Sequence, residues 1–352
     1  MSDRLRVVQV GLGAWGHDWA WRVNPTVDEV EVVGYVDSDP GALALIAKRL
    51  PGSDGRSFTS LSEAIESTRP DALLVTTTLA GHEPLTRLGL EAGLHVLCEK
   101  PFTDDLDCTR ELVELAAAKG LTLMVSQNYR HFPAPRTAAS LVAEGSLGEL
   151  YQVGIDFRQN DPSPPKPRRR HHLDTQPLLI DMSIHHFDLL RLVLGQEPRR
   201  IYCQSQSPSW SGFGGPPSAV ALIDFDGVLV SYRGSWISAG PITPWAGEWT
   251  MEFEHGHVAW TSRGERVLIH DRVVVRPRRG RPRTMPMPEI SRIDRAGTLT
   301  EFARALRDGR EPETSGRDNL KTLAFTLAAV ESAERDSWVN VGAEARDGFG
   351  QL

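Results

Sequence analysis

Residues 5–16 read LRVVQVGLGAWG. The first half is a short apolar run of the kind that forms a buried strand. The second half sets Gly11, Gly13 and Gly16 in the spacing G-x-G-x-x-G, with Ala14 and Trp15 inside the loop. In that spacing the first glycine permits a tight turn, the second lets backbone approach a pyrophosphate, and the third lets helix and strand pack closely. The N–H groups and dipole of the helix that follows favour an anion at the same place. The motif alone is weak; a strand directly before it is the context that gives it meaning.

Working outward, a second apolar strand, VEVVGYVD, ends at Asp37, twenty-one residues after Gly16. An acid about 20 residues past the glycine loop accepts hydrogen bonds from the adenosine ribose. It also repels a 2′-phosphate, so NAD is expected rather than NADP. Asp37 could instead cap the helix before Pro40, although Asp39 is better placed to do so.

The alternation continues: helix 41–50, a strand near Phe58, helix 61–67, strand 72–77, helix 84–92, strand 94–98, helix 105–118 and strand 121–126. Strands alternating with helices of this length make a doubly wound parallel sheet. Ligands of such sheets sit at the carboxyl ends of the strands. Besides the glycine loop and Asp37, those ends carry Thr77, His82, Glu99, Lys100, Asn128, Tyr129 and Arg130. Lys100 is one of five lysines among 39 basic residues. Arginine serves wherever any cation will do, so a retained lysine can mark a need for a compact amine. Beside a nicotinamide, Lys100 could hold a substrate oxygen and stabilise charge on it. A plain surface turn is the alternative.

Residues 181–188 read DMSIHHFD. In a helix, Asp181, His185 and Asp188 share one stripe, while His186 points about 100° away. The apolar runs on either side predict a buried helix, ended by Gly195. An aspartate beside a histidine can orient a hydroxyl and take its proton. A helix whose histidine is a satisfied core residue is the alternative.

The totals exclude some classes. At 352 residues, about two domains are expected. A net charge of −7 argues against a nucleic-acid partner. The Arg-rich stretches at 166–170 and 276–283 are interleaved with proline and read as solvated loops. No apolar run reaches the ~20 residues that would span a bilayer, so no membrane partner is expected. Three scattered cysteines predict neither a disulfide framework nor a metal site, and favour a reducing, cytoplasmic setting. The opening residues lack the features of a secretory signal.

The ordered set GLGAWG, VDSD, TTTLAGH, LCEKP, QNYR and DMSIHHFD resembles the glucose–fructose oxidoreductase / inositol dehydrogenase / MocA family. The likeness runs nearly the whole chain, to SGRDNLKTLAFTLAAVESAE. It departs at Thr78-Leu79, where the family often has a proline. The resemblance implies an NAD-binding α/β Rossmann domain, placed here at 1–126. It implies a following α+β domain with an open, mostly antiparallel sheet, placed at 127–352. It further implies a site between them, with the family's lysine at Lys100 and its aspartate–histidine pair at Asp181 and His185.

The second half reads accordingly, with a strand after the turn at 145–150 and others at 200–206, 218–225, 228–236, 248–254, 257–262 and 266–270. Helices are expected at 298–308 and 318–335, and an irregular segment at 276–290. The loop 159–172, Asp156 and residues 128–130 are expected to touch substrate. Trp236, Trp245, Trp249 and Trp260 are expected in core or interface. A meandering sheet covered on one face leaves the other for a homo-oligomer, dimer or tetramer. The function expected is an NAD-dependent dehydrogenase of a sugar, sugar derivative or cyclitol. Lys100, Asp181 and His185 are its catalytic residues. An NAD-retaining glycosidase and a non-catalytic cofactor sensor are the alternatives.

Overall fold

The computed structural model describes residues 4–50, 52–161, 175–264 and 271–342. The expected strand 266–270, the Arg-rich stretch 166–170 and most of the loop 159–172 lie outside them. The chain forms two compact units, residues 1–128 with 291–320, and residues 129–290 with 321–352. A single boundary at 126 therefore does not describe the chain: 291–320 belongs with the first unit.

In the first unit, β1 (Leu5–Val10), β2 (Val30–Val36), β3 (Ser57–Phe58), β4 (Ala72–Val75), β5 (His95–Cys98) and β6 (Leu123–Val125) form one sheet. Their order is β3-β2-β1-β4-β5-β6, and every pairing is parallel. The helices are α1 (Ala14–Asp18), α2 (Pro40–Arg49), α3 (Leu61–Thr68), α4 (Leu79–Glu91) and α5 (Leu106–Ala118). A π-helical turn, Trp19–Val23, prolongs α1. Strand order reverses between β1 and β4, the place where such sheets bind nucleotides. Strand β4 is buried throughout because helices cover both faces. Helix α4 starts five residues before the expected 84, with Pro84 inside it. That proline removes one helical bond, and the buried face of His82, Thr86, Gly89 and Leu90 holds the helix regardless.

The returning segment contributes α8 (Asp294–Asp308). Its Leu299, Phe302 and Ala303 pack with Val7, Trp19, Leu74 and Leu97. Beyond it, Thr314 O accepts a hydrogen bond from Val125 N at 2.9 Å.

The second unit holds a nine-stranded sheet ordered β14-β13-β12-β11-β7-β10-β9-β8-β15. Its strands are β7 (Leu150–Arg158), β8 (Arg200–Gln206), β9 (Ser218–Phe225), β10 (Val228–Ser235), β11 (Glu248–Phe253), β12 (Gly256–Thr261), β13 (Arg272–Pro277), β14 (Arg283–Thr284) and β15 (Val339–Asn340). The pairing of β7 with β10 is parallel and the others are antiparallel. Alternating burial along β10 and β12 marks one covered and one open face. Helices α6 (Pro133–Glu144), α7 (Ile184–Leu194) and the later part of α9 (Gly316–Arg335) belong to this unit. Val153, Ile155 and Phe157 of β7 meet Phe187, Leu190 and Phe325 in its core. Trp249 and Trp260 stack there at 4.4 Å, as core residues.

Two elements differ from expectation. Residues 272–277 form a strand where none was placed, and its last two residues and 283–284 pair inside the segment 276–290 expected to be irregular, because VVV alternates within the arginines. Helix α6 was not expected at all; Pro133 and Pro135 open it, at positions whose N–H groups have no helical acceptor. No helix among the described residues is long and apolar enough to cross a membrane.

Candidate active site

The glycine loop is built by close approach. Gly11 has φ +91°, and a Cβ there would lie 2.5–2.7 Å from Thr77. A Cβ on Gly16 would lie 1.9 Å from the Gly11 carbonyl oxygen. A Cβ on Gly13 would meet nothing within 4 Å, so this side of the loop is open to a ligand. The loop is fastened from below by buried Gln9, whose Nε2 donates to Gly16 O at 2.8 Å and to Thr76 Oγ1 at 3.0 Å. Asn24 Nδ2 donates to Gln9 Oε1 at 2.9 Å, and Thr76 Oγ1 donates to Gly11 O at 2.7 Å. In the sequence this clamp shows only as Gln9 set between Val8 and Val10.

Asp37 directly follows β2 and accepts from Leu12 N at 2.6 Å through Oδ2. Its Oδ1 accepts from Asp39 N at 2.9 Å, while Asp39 itself caps α2 through Gly41 N. An open glycine cradle, helix N–H groups that have no helical acceptor, and a carboxylate at the end of β2 fit a dinucleotide. Ala14 and Trp15 form the first turn of α1. The Trp15 ring is partly exposed and lies 4.1 Å from the Arg295 guanidinium.

The segment around Lys100 is held by its neighbours. Glu99 is buried; its Oε1 accepts from Trp19 Nε1 at 2.6 Å and its Oε2 from Lys100 N at 3.1 Å. His82 Nδ1 lies 2.8 Å from Pro101 O and Nε2 lies 3.3 Å from Thr77 O. Burial lowers the His82 pKa and keeps the ring neutral. Glu99 and His82 were expected among the cofactor ligands. In the structure Glu99 accepts from Trp19 and from the Lys100 amide, and neutral His82, with one N–H, donates to one of its two carbonyl neighbours, so both brace the loop that carries half-buried Lys100.

In the second unit, Asp181 lies in a π-helical turn, Leu179–Ser183, and α7 begins only at Ile184. The single 3.6-residue stripe expected for Asp181, His185 and Asp188 is therefore interrupted. Asp181 is half-buried, and His185 is 5% exposed. The His185 ring stacks on Tyr129 with centroids 3.9 Å apart and planes 2° from parallel. The adjacent His186 is fully buried, with Nδ1 3.2 Å from Tyr232 Oη and Nε2 3.0 Å from Trp245 O. Burial drives its pKa down to about 4. His186 is thus a satisfied core histidine.

Three expected substrate contacts are otherwise engaged. Arg130 makes a bidentate pair with buried Asp188, Nε to Oδ2 and Nη2 to Oδ1, both at 2.7 Å. Thr322 Oγ1 adds a bond to Asp188 Oδ1 at 2.8 Å. Asn128 Nδ2 donates to Asp294 Oδ1. Asp156 alternates with core residues Ile155 and Phe157, so it faces the open side of the sheet, where Arg158 and Arg233 pair with it. No group of acidic, His or Cys side chains able to hold a metal occurs among the described residues.

Residues 5–127 match the family model described as "Oxidoreductase family, NAD-binding Rossmann fold". Residues 136–258 match the "GFO/IDH/MocA C-terminal domain". The chain belongs to the Gfo/Idh/MocA oxidoreductase family. It is an oxidoreductase with NAD as cofactor, held by the Rossmann unit described above. It is 31% identical over 234 residues to an inositol 2-dehydrogenase of Corynebacterium glutamicum, covering 65% of this chain and 66% of that one. It is 25% identical over 346 residues to the D-apiose dehydrogenase of Paraburkholderia graminis, covering 96% and 90%. Its fold is that of an inositol dehydrogenase homolog from Azotobacter vinelandii, solved with NADH and myo-inositol. The TM-score is 0.82 at 20% identity, covering 97% of this chain and 98% of that one.

Proposed function

We propose that this Gfo/Idh/MocA protein is a dehydrogenase that oxidises a secondary alcohol of a sugar, sugar derivative or cyclitol. The observation that carries this reading is Lys100, which follows β5 at its carboxyl end on a loop braced by buried Glu99 and His82. The names of the relatives agree with it: inositol 2-dehydrogenase, D-apiose dehydrogenase and 1,5-anhydro-D-fructose reductase. Gly11, Gly13, Ala14, Trp15, Gly16, Asp37 and Thr77 would hold NAD, which supplies the hydride acceptor when bound. Lys100 binds the reacting oxygen and stabilises negative charge on it as the proton leaves. His185 takes that proton as general base. Asp181 holds a hydroxyl on a neighbouring carbon, which is why a polyol suits the set better than a simple alcohol. His186 cannot share the work, since both its nitrogens are engaged.

The open face of the nine-stranded sheet carries exposed Tyr151, Val220, Leu222 and Leu229, which suits a second copy of the chain in a dimer or tetramer. Sedimentation velocity reads that directly. Free Cys98, Cys108 and Cys203 agree with a cytoplasmic setting.

The deciding experiment is an NAD-reduction screen over cyclitols, aldoses and anhydrosugars. With the best substrate, Lys100→Met and His185→Ala are expected to lower kcat by about a thousandfold or more while NADH still binds. Near-wild-type turnover in either variant would refute the assigned role.

A further inference from the structure

We propose that Tyr129 and Arg263 are positioning residues for His185: together they fix the plane of its imidazole through a ring-on-ring layer. The proposal rests on the reading of His185 as the general base.

The layer is built from separate stretches of the second unit. Tyr129, in the 3₁₀ turn Asn128–His131, is 2% exposed and lies flat on His185. Arg263 follows β12; its guanidinium carbon lies 4.5 Å from the Tyr129 ring centroid, and its Nη1 donates to the Tyr129 hydroxyl. A cation against an aromatic ring is attracted by the ring's quadrupole, so Arg263 draws Tyr129 into place both by its face and by its hydroxyl.

The backbone is shaped for this contact. Arg263 has φ +57°, a left-handed conformation that costs a side-chain-bearing residue free energy. Such strain persists where the surroundings over-determine it, and is most common at functional sites. Here Arg263 N donates to Asp271 Oδ1 at 3.2 Å, and Arg263 O accepts from Trp245 N at 2.9 Å. Asp271 Oδ2 also accepts from Ala134 N at 2.8 Å, at the start of α6. The arginine is therefore pinned on both sides and tied to the helix that follows Tyr129.

His185 has a ring stacked flat on it, whereas the rings beside His186 are tilted. His186 is fixed by hydrogen bonds at both nitrogens, which silences them. A face contact fixes the plane of a ring without consuming a nitrogen, which is what a proton acceptor needs. Rotation of an unsupported imidazole about its Cβ–Cγ bond would carry its nitrogens out of hydrogen-bond reach of the substrate.

The test uses the full-length protein with 15N,13C-labelled histidine. In the wild type, the His185 ring protons are expected to show the upfield ring-current shift of a stacked imidazole. Tyr129→Phe keeps the shift and at least about half of kcat. Tyr129→Leu loses the shift and lowers kcat by about ten- to a hundredfold, the scale of a misplaced catalytic group, without changing KM for NAD. Arg263→Gln weakens the shift and lowers kcat by about three- to tenfold. An unchanged His185 spectrum in both Tyr129→Leu and Arg263→Gln overturns the proposal, as does a lost shift with unchanged kcat. Arg263→Gln and Tyr129→Phe carry the test if Tyr129→Leu does not fold. If His185→Ala alone retains turnover, the general-base reading fails, while the ring-current result still reports whether the layer exists.

Discussion

Each face of the nine-stranded sheet has an aspartate set among arginines, and the two could hardly differ more. On the covered side, Asp188 is 1% exposed and meets Arg130 in a bidentate pair. On the open side, Asp156 meets Arg158 and Arg233; Asp156 and Arg158 are partly exposed and Arg233 largely so. The residue types are alike, and only burial separates them. Two charges taken out of water stand or fall together, because removing one strands the other. The same pair in water contributes little. A sequence cannot tell these cases apart, and both Arg130 and Asp156 were expected to bind substrate.

The contrast can be broken by mutation. Asp188→Ala is expected to cost about 3–5 kcal/mol in urea unfolding, since it leaves the buried Arg130 guanidinium without its carboxylate. A loss under about 1 kcal/mol would mean that burial does not govern this pair. His186, on the same covered side, sharpens the point through pH. Its folded-state pKa of about 4 lies below the 6.5 of an ordinary imidazole, so the unfolded chain takes up more protons. The stabilisation is complete above pH 6.5 and is lost as pH falls toward 4, about 3 kcal/mol in all. Unfolding curves at pH 7 and pH 4.5 for wild type and His186→Asn isolate this contribution; equal acid sensitivity in the two would contradict it. Asp156→Ala is expected to change stability by about 1 kcal/mol or less and to leave turnover unaltered. A large drop in kcat would return Asp156 to the substrate's surroundings.

What the sequence made legible was local. A glycine spacing, an acid twenty-one residues on, and helices alternating with strands all lie within a few turns of one another, and the parallel sheet follows from them. The residues proposed to do the chemistry, Lys100, Asp181 and His185, could be named as candidates by type and spacing. What their neighbours touch could not. Glu99 meets Trp19 across eighty positions, and Tyr129 meets His185 across fifty-six. The π-helical turn at 179–183 was hidden for another reason: its apolar residues suit a regular helix equally well. Helix α6 was masked by its two opening prolines, and β13 by the arginines around its valines.

The membership of residues 291–320 has a consequence for how this protein is made. Phe302 lies beside Trp19, and Val125 bonds to Thr314. During synthesis, the nucleotide half must therefore wait until residues 291–320 have left the ribosome. Cutting the gene after codon 128 would yield an unfinished layer with its apolar side wet and its last strand unsupported. Anyone transplanting the cofactor half into another protein should carry the late segment with it, spliced on through a short linker.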